Sequence, residues 1–234
     1  MNKIIELLKS DLKDILRRPA NVAITFVMVF GILLLTGFVL NEGATSEIIA
    51  SYSVFIAAYV GFIITAMGIP SDRESGLYRM YRSSKLSKKS YVTARTAYSI
   101  IGLFLALLVI AVGVPTAQIN LHWLVLPVLM LSILSHIGIG LLIPAFVERT
   151  QEAQRVSQII FFAMIFLAPV FYTSEKLPEI VQLSQQFVPL THAVEAMRTI
   201  TVDSGGLTET IYPLSLLTAL TVLAFTAGYR KLDY

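Results

Sequence analysis

The sequence contains no cysteine, which excludes disulfides, zinc–thiolate sites and cysteine nucleophiles. It also lacks a Gly-x-x-x-x-Gly-Lys-Ser/Thr loop, so the chain has no P-loop with which to cradle ATP phosphates. Its three histidines, His122, His136 and His192, are too scattered to suggest a metal site by spacing. Charge is scarce as well. Asp, Glu, Lys and Arg make up 14% of the 234 residues, where an average soluble domain carries about 25%. Hydrophobic residues make up 56% and mean hydropathy is +0.74. A soluble fold of this size would keep a large sticky exterior. Lipid is the solvent that removes the difficulty.

A bilayer core about 30 Å thick needs about 20 mostly apolar residues per helix. Residues 21–40 carry no Lys or Arg and no acid, and fit one span; 48–70 fit a second. Residues 96–147 then run without a single Asp, Glu, Lys or Arg. As one helix that stretch would be about 78 Å long. It must fold back, and the turn-rich Gly113-Val114-Pro115 through Asn120 is where it can. Spans three and four are thus expected at 97–114 and 123–146, a fifth at 156–172 and a sixth at 210–229. One charge at a span's centre costs about 2.5–3.5 kcal/mol, so these charge-free gaps carry information. No short-period repeat or low-complexity segment interrupts the pattern, and 1–234 reads as a single domain.

The net charge of +3 and pI near 9.1 raise the question of nucleic acid, but the distribution of the cations answers it differently. Five lie before the first span, seven between spans two and three, two between four and five, and two in the tail. That puts sixteen of eighteen on one side, with Lys176 and Arg198 opposite. The positive-inside rule then places both termini in the cytoplasm, and no nucleic-acid partner is read from the charge. The first apolar run is too long for a signal-peptide core. Ahead of it, Ile4, Ile5, Leu8, Leu12, Ile15 and Leu16 recur at helical spacing among Lys, Glu and Asp. Residues 1–19 therefore read as an amphipathic helix along the cytoplasmic interface, ended by Pro19.

Three polar segments carry a functional signal. The first, within 72–90, begins Asp72-Arg73-Glu74-Ser75-Gly76-Leu77-Tyr78-Arg79-Met80-Tyr81-Arg82. Leu77, Tyr78, Tyr81 and Leu86 can form one apolar strip with arginines around the remainder. A short helix of that kind suits docking into a partner's groove; a basic loop touching anionic lipid is the plainer alternative. The second is Leu177-Pro178-Glu179 through Arg198. Residues 180–194 are uncharged but too short to cross, and crossing would move the cationic tail outside. Two short helices returning within the outer leaflet, over 175–200, satisfy both facts, with Pro189 acceptable in a first turn. The third is the loop from Glu148 and Arg149 to Arg155, for which a solvated linker is equally open.

Arg73-Glu74-Ser75-Gly76 followed by Leu86-Ser87 resembles the loop after the second span in the type-2 family of ABC transporter permeases, which pair a six-span subunit with a separate ATPase. Lys85 stands where that family usually has proline. Leu177-Pro178-Glu179, Pro189-Leu190-Thr191-His192 and Glu195-Ala196-Met197-Arg198 resemble its outer segment, with Val188 in place of asparagine. The resemblance covers most of the chain. It implies an all-α integral membrane fold: six transmembrane helices, an interfacial N-terminal helix, a cytoplasmic coupling helix and a re-entrant outer hairpin before the last span. It implies contact with the ATPase through Asp72, Arg73, Glu74, Gly76, Leu77, Tyr78, Arg79, Tyr81 and Arg82, with Glu148 and Arg149 as a second, smaller contact. Leu177, Pro178, Glu179, Pro189, Leu190, Thr191, His192, Glu195 and Arg198 would lie at the outer mouth of the path; an ordinary surface ion pair between Glu195 and Arg198 stays open.

The partners implied are two copies of an ABC ATPase subunit, a second permease subunit, identical or homologous, membrane lipid and an amphiphilic substrate. ATP and Mg would be bound by the ATPase, with no cofactor and no catalytic residue in this chain. The resemblance is strongest to the branch exporting drugs and other amphiphiles across the plasma membrane, through Pro189-Leu190-Thr191-His192-Ala193-Val194-Glu195-Ala196-Met197-Arg198; export of a lipid-linked glycan or teichoic-acid-like polymer is the alternative. An integral-membrane enzyme would need clustered carboxylates or histidines, and Asp72 and Glu74 are a lone pair beside Arg73. A proton-coupled carrier lacks its buried acids. Ser132, Ser135 and His136 cluster in span four and Gln154 and Gln158 open span five; His136 reads as a helix-to-helix hydrogen bond or a substrate contact. The topology is directly testable in this cysteine-free background. Thr45→Cys should react with an impermeant maleimide on intact cells, and Ser84→Cys only after permeabilisation.

Overall fold

The computed structural model describes residues 42–83, 87–113, 122–172, 174 and 177–232. Their regular structure is helical throughout: α1 (Glu42–Glu74), α2 (Leu77–Ser83), α3 (Lys88–Tyr98), α4 (Ile100–Gly113), α5 (Val125–Gly140), α6 (Ile143–Phe146), α7 (Thr150–Leu167), α8 (Glu179–Gln185), α9 (Pro189–Thr201) and α10 (Leu207–Lys231). The expected interfacial helix 1–19, the first span 21–40 and the turn leading to Asn120 fall outside the described residues.

Among the described residues, three stretches are long and apolar enough to cross a membrane: Ser46–Glu74, Val125–Phe146 and Leu207–Lys231. They correspond to the expected spans 48–70, 123–146 and 210–229. The stretch 97–114 divides instead. Ser99 separates α3 from α4, and the 14 residues of α4 extend only about 21 Å. Residues 156–172 are only partly helical. α7 opens on the polar turn of Thr150, Gln151 and Glu152 and stops at Leu167, where Ala168 turns extended ahead of Pro169. Eighteen residues give it about 27 Å.

α1 is the interior element. Its apolar stretch is 72% buried within the chain, against 22% for α10, as expected of a helix hydrophobic all round. α4, α5, α7 and α9 all pack on it, and α5 lies between α1 and α10. The α5–α10 seam is drawn tight by two glycines. A Cβ on Gly138 would sit 2.5 Å from the Phe225 nitrogen, and one on Gly228 2.5 Å from the Gly138 oxygen. Small residues let helix backbones approach closely where lipid supplies no hydrophobic drive for association. The outward faces keep large apolar groups exposed, among them Phe104, Phe162, Phe166, Ile211 and Leu223, which an apolar solvent tolerates.

Gly138→Ala and Gly228→Ala should each push α5 from α10 and cost about 1–3 kcal/mol, the range for overpacking. Gly206→Ala, whose new Cβ would meet nothing nearer than 3.5 Å, should be near neutral. Unfolding of the three variants in detergent micelles measures the difference.

Candidate functional site

Two polar nodes sit near opposite ends of α1, separated by the ~32 Å that 21 helical residues span between Ser51 and Asp72. At the first, three consecutive charged residues take three different partners. Asp72 is buried at 3% exposure and accepts a 2.6 Å hydrogen bond from the Tyr91 hydroxyl of α3. Arg73 donates through Nη1 to the Pro144 carbonyl of α6 at 2.7 Å and lies 5.3 Å from the Tyr78 ring centroid, within cation–π range. Glu74 reaches α7: its carboxylate accepts from the Thr150 backbone nitrogen at 3.0 Å and the Thr150 hydroxyl at 2.6 Å.

That last contact solves a local problem. A helix N-terminus leaves backbone N–H groups without intrahelical acceptors, and the residue in the capping position of α7, Arg149, has a side chain that makes no cap bond. Glu74 supplies the acceptor from another helix, with the charge sign that a helix N-terminus favours. Glu148 and Arg149 themselves are exposed. The loop at 148–149 and the one at 72–82 are therefore physically joined, which their separation in sequence hides.

Gly76 makes the turn between α1 and α2, with φ at +77°, a left-handed conformation that glycine adopts without strain after a helix end. Along α2 the apolar strip turns inward. Tyr78 is buried, Leu77 and Tyr81 are half-buried, and the Tyr78 and Tyr81 rings meet Tyr91 at 5.6 and 6.1 Å. Arg79 and Met80, the latter 55% exposed, form the outward face. Arg82 belongs to the last turn of α2, its side chain outside the described residues, as is Leu86.

The second node is built on α8 and α9. Pro178 precedes α8, Glu179 stands exposed in its first turn, and Leu177 accepts at its carbonyl from Gln182 Nε2 at 2.9 Å. Pro189 occupies the first turn of α9, Leu190 is fully buried, and Thr191 and His192 are 2% and 3% exposed. His192 directs Nε2 at the Gln186 carbonyl, 2.9 Å away, and holds Nδ1 3.7 Å from the Glu195 carboxylate. Burial pulls the His192 pKa down, but Glu195 and the Gln186 carbonyl outweigh it and the pKa is raised. A cavity of about 720 Å³ opens between α8, α9 and the start of α10.

Arg198 does not pair closely with Glu195. It donates through Nε to the Ser51 hydroxyl of α1 at 2.7 Å, and through Nη1 and Nη2 to the carbonyls of Tyr172 and Val170 at 3.4 and 3.3 Å. Burial lowers its pKa, opposed by the carboxylates of Glu47, Asp203 and Glu195. The planar fork suits this triple contact in a way an ammonium does not.

Between the nodes, Ser132, Ser135 and His136 are all fully buried on α5. His136 Nδ1 bonds the Ser132 carbonyl of its own helix at 2.7 Å, and its ring lies 6.5 Å from that of Phe161 on α7. Gln154 and Gln158 face outward on α7. Among the described residues no three His, Cys, Asp or Glu are grouped to hold a metal. Sequence reasoning missed Tyr91, Thr150, Pro144 and Ser51 as partners. Only Thr150, a hydroxyl at the first position of a helix whose capping residue cannot accept, carried a local hint.

The membrane-length helices among the described residues are those of a multi-pass membrane protein. The sequence model of the ABC-2 type transporter family matches residues 2–202, and the chain belongs to that family. No curated protein matches the chain. Membership makes it a transport subunit of a family that associates with an ABC ATPase subunit.

If Arg198 acts as a clamp, Arg198→Ala should lower unfolding stability by about 2 kcal/mol, the scale for charged hydrogen bonds. Glu195→Ala should change it by less than about 0.5 kcal/mol. Equal losses would indicate an ion pair instead. Denaturant titration in detergent micelles separates the two outcomes.

Proposed function

We propose that the chain is the six-span permease subunit of an ATP-driven exporter in the plasma membrane, with both termini cytoplasmic. Two such subunits, identical or homologous, frame a path for a drug-like or amphiphilic substrate. Two copies of a separate ABC ATPase bind ATP and Mg and engage α2 from the cytoplasm; the hairpin α8–α9 re-enters the outer leaflet at the mouth of the path. The chain contributes no catalytic group to the hydrolysis.

The observation that carries this reading is the union of α2, α6 and the N-terminus of α7 at the end of the buried helix α1, through Arg73–Pro144 and Glu74–Thr150. A push on α2 by a closing ATPase dimer reaches α1 and α7 together. Differential affinity of the ATPase for two arrangements of these helices is what shifts the equilibrium between access states. The exposed face of α2 offers Arg79 and Met80 to the partner, while its tyrosines hold the helix in place.

Arg79→Glu combined with Met80→Glu should abolish co-purification of an ABC ATPase with the tagged chain, leaving membrane insertion and Tm unchanged. Retention of the ATPase by the double variant, or solute movement by the purified chain alone in nanodiscs, would overturn the proposal.

A further inference from the structure

The cavity between α8, α9 and α10 has an acidic, polar wall. Glu179 and Glu195 contribute carboxylates, and no Lys or Arg is among the described residues that line it. Gln182 and Gln185 each commit an amide hydrogen elsewhere, to the carbonyls of Leu177 and Leu167. His192 directs Nε2 at the Gln186 carbonyl and Nδ1 towards the Glu195 carboxylate. His192 Nδ1 and Thr191 Oγ1 are both buried without a hydrogen-bond partner, on residues 3% and 2% exposed. Two such groups in one wall are unusual, since buried polar atoms nearly always find partners. The Thr191 hydroxyl oxygen thus keeps lone pairs that a ligand's N–H can meet.

The remaining wall is apolar. Ile180 and Leu183 are 75% and 59% exposed, and Tyr212, 63% exposed, brings an aromatic ring from α10. At about 720 Å³ the cavity is of the size that takes a small organic molecule.

We propose that this cavity binds an amphiphilic organic cation: a primary or secondary ammonium group that donates to the carboxylates of Glu179 and Glu195, on an apolar body that covers Ile180, Leu183 and Tyr212. Carboxylates favour the charge, an aromatic face adds cation–π attraction, and an anionic head group would meet two like charges. The inference deepens the permease reading and rests on it for the cation's being cargo; the binding itself does not depend on an ATPase.

The test uses the full chain in nanodiscs of zwitterionic phosphatidylcholine, with dansylcadaverine as the cationic probe and its N-acetyl derivative as the neutral one. Saturable fluorescence binding of the amine is expected, with the neutral derivative at least tenfold weaker. Glu179→Gln with Glu195→Gln should weaken the amine at least tenfold and leave the neutral probe unchanged. Leu183→Trp, which fills the cavity without altering charge, should reduce binding of the amine and guards against a misfolded carboxylate variant. Equal binding of both probes, or wild-type binding by both variants, would overturn the site and indicate partition into the bilayer. ATPase co-purification measured alongside keeps the two readings apart. A bound ATPase without amine binding removes the site alone; amine binding without any ATPase removes the permease reading alone.

Discussion

Backbone groups at a helix end have no partners inside the helix. α7 meets this constraint at both ends with borrowed side chains. Glu74 accepts from its first N–H and from the hydroxyl of the same residue, Thr150. The Tyr172 hydroxyl donates to the carbonyls of Phe166 and Leu167, and Gln185 Nε2 donates to Leu167 as well. Because the acceptor of one cap is the last residue of α1, the end of α1 is fixed to the start of α7. Arg198 completes the lacing by holding Ser51 of α1 against the carbonyls that follow α7.

Between these ends the antiparallel pair is filled by aromatic rings. Phe161 of α7 lies 5.6 Å from Phe55, 5.1 Å from Tyr59 and 5.8 Å from Phe62, all on α1. Such contacts are worth about 0.5–1.5 kcal/mol each beyond area burial. They resist separation yet have no directional hydrogen bond to break if the helices slide. α5 and α10, zipped at Gly138 and Gly228, make a tighter unit beside them. The glycine seam is thus the more closely locked of the two.

The sequence made some of this legible and concealed the rest for identifiable reasons. Charge-free runs located α1, α5 with α6, and α10, because burying charge in lipid is costly everywhere along a span. The same logic overran the C-terminal end of α7, where an apolar stretch continues through Ala168 and Pro169 although the helix does not. It also read 97–114 as one segment where Ser99 divides two. Asp72, Arg73 and Glu74 stood out as a motif, but their partners lie on α3, α6 and α7, and nothing local points to tertiary pairing. Glu195 and Arg198 looked like neighbours one turn apart. Arg198 has better acceptors in Ser51, Val170 and Tyr172, and those are invisible to helical periodicity.

The borrowed cap on α7 also bears on how such chains can be recombined. Glu74 and Thr150 are separated by 76 positions yet form one hydrogen-bonded joint, and Arg73 with Pro144 forms another beside it. A chimera that imported a foreign segment across 72–83 alone would leave the start of α7 uncapped and orphan the carbonyl of Pro144. The transplantable module is discontinuous: the loop and residues 144–150 have to travel together.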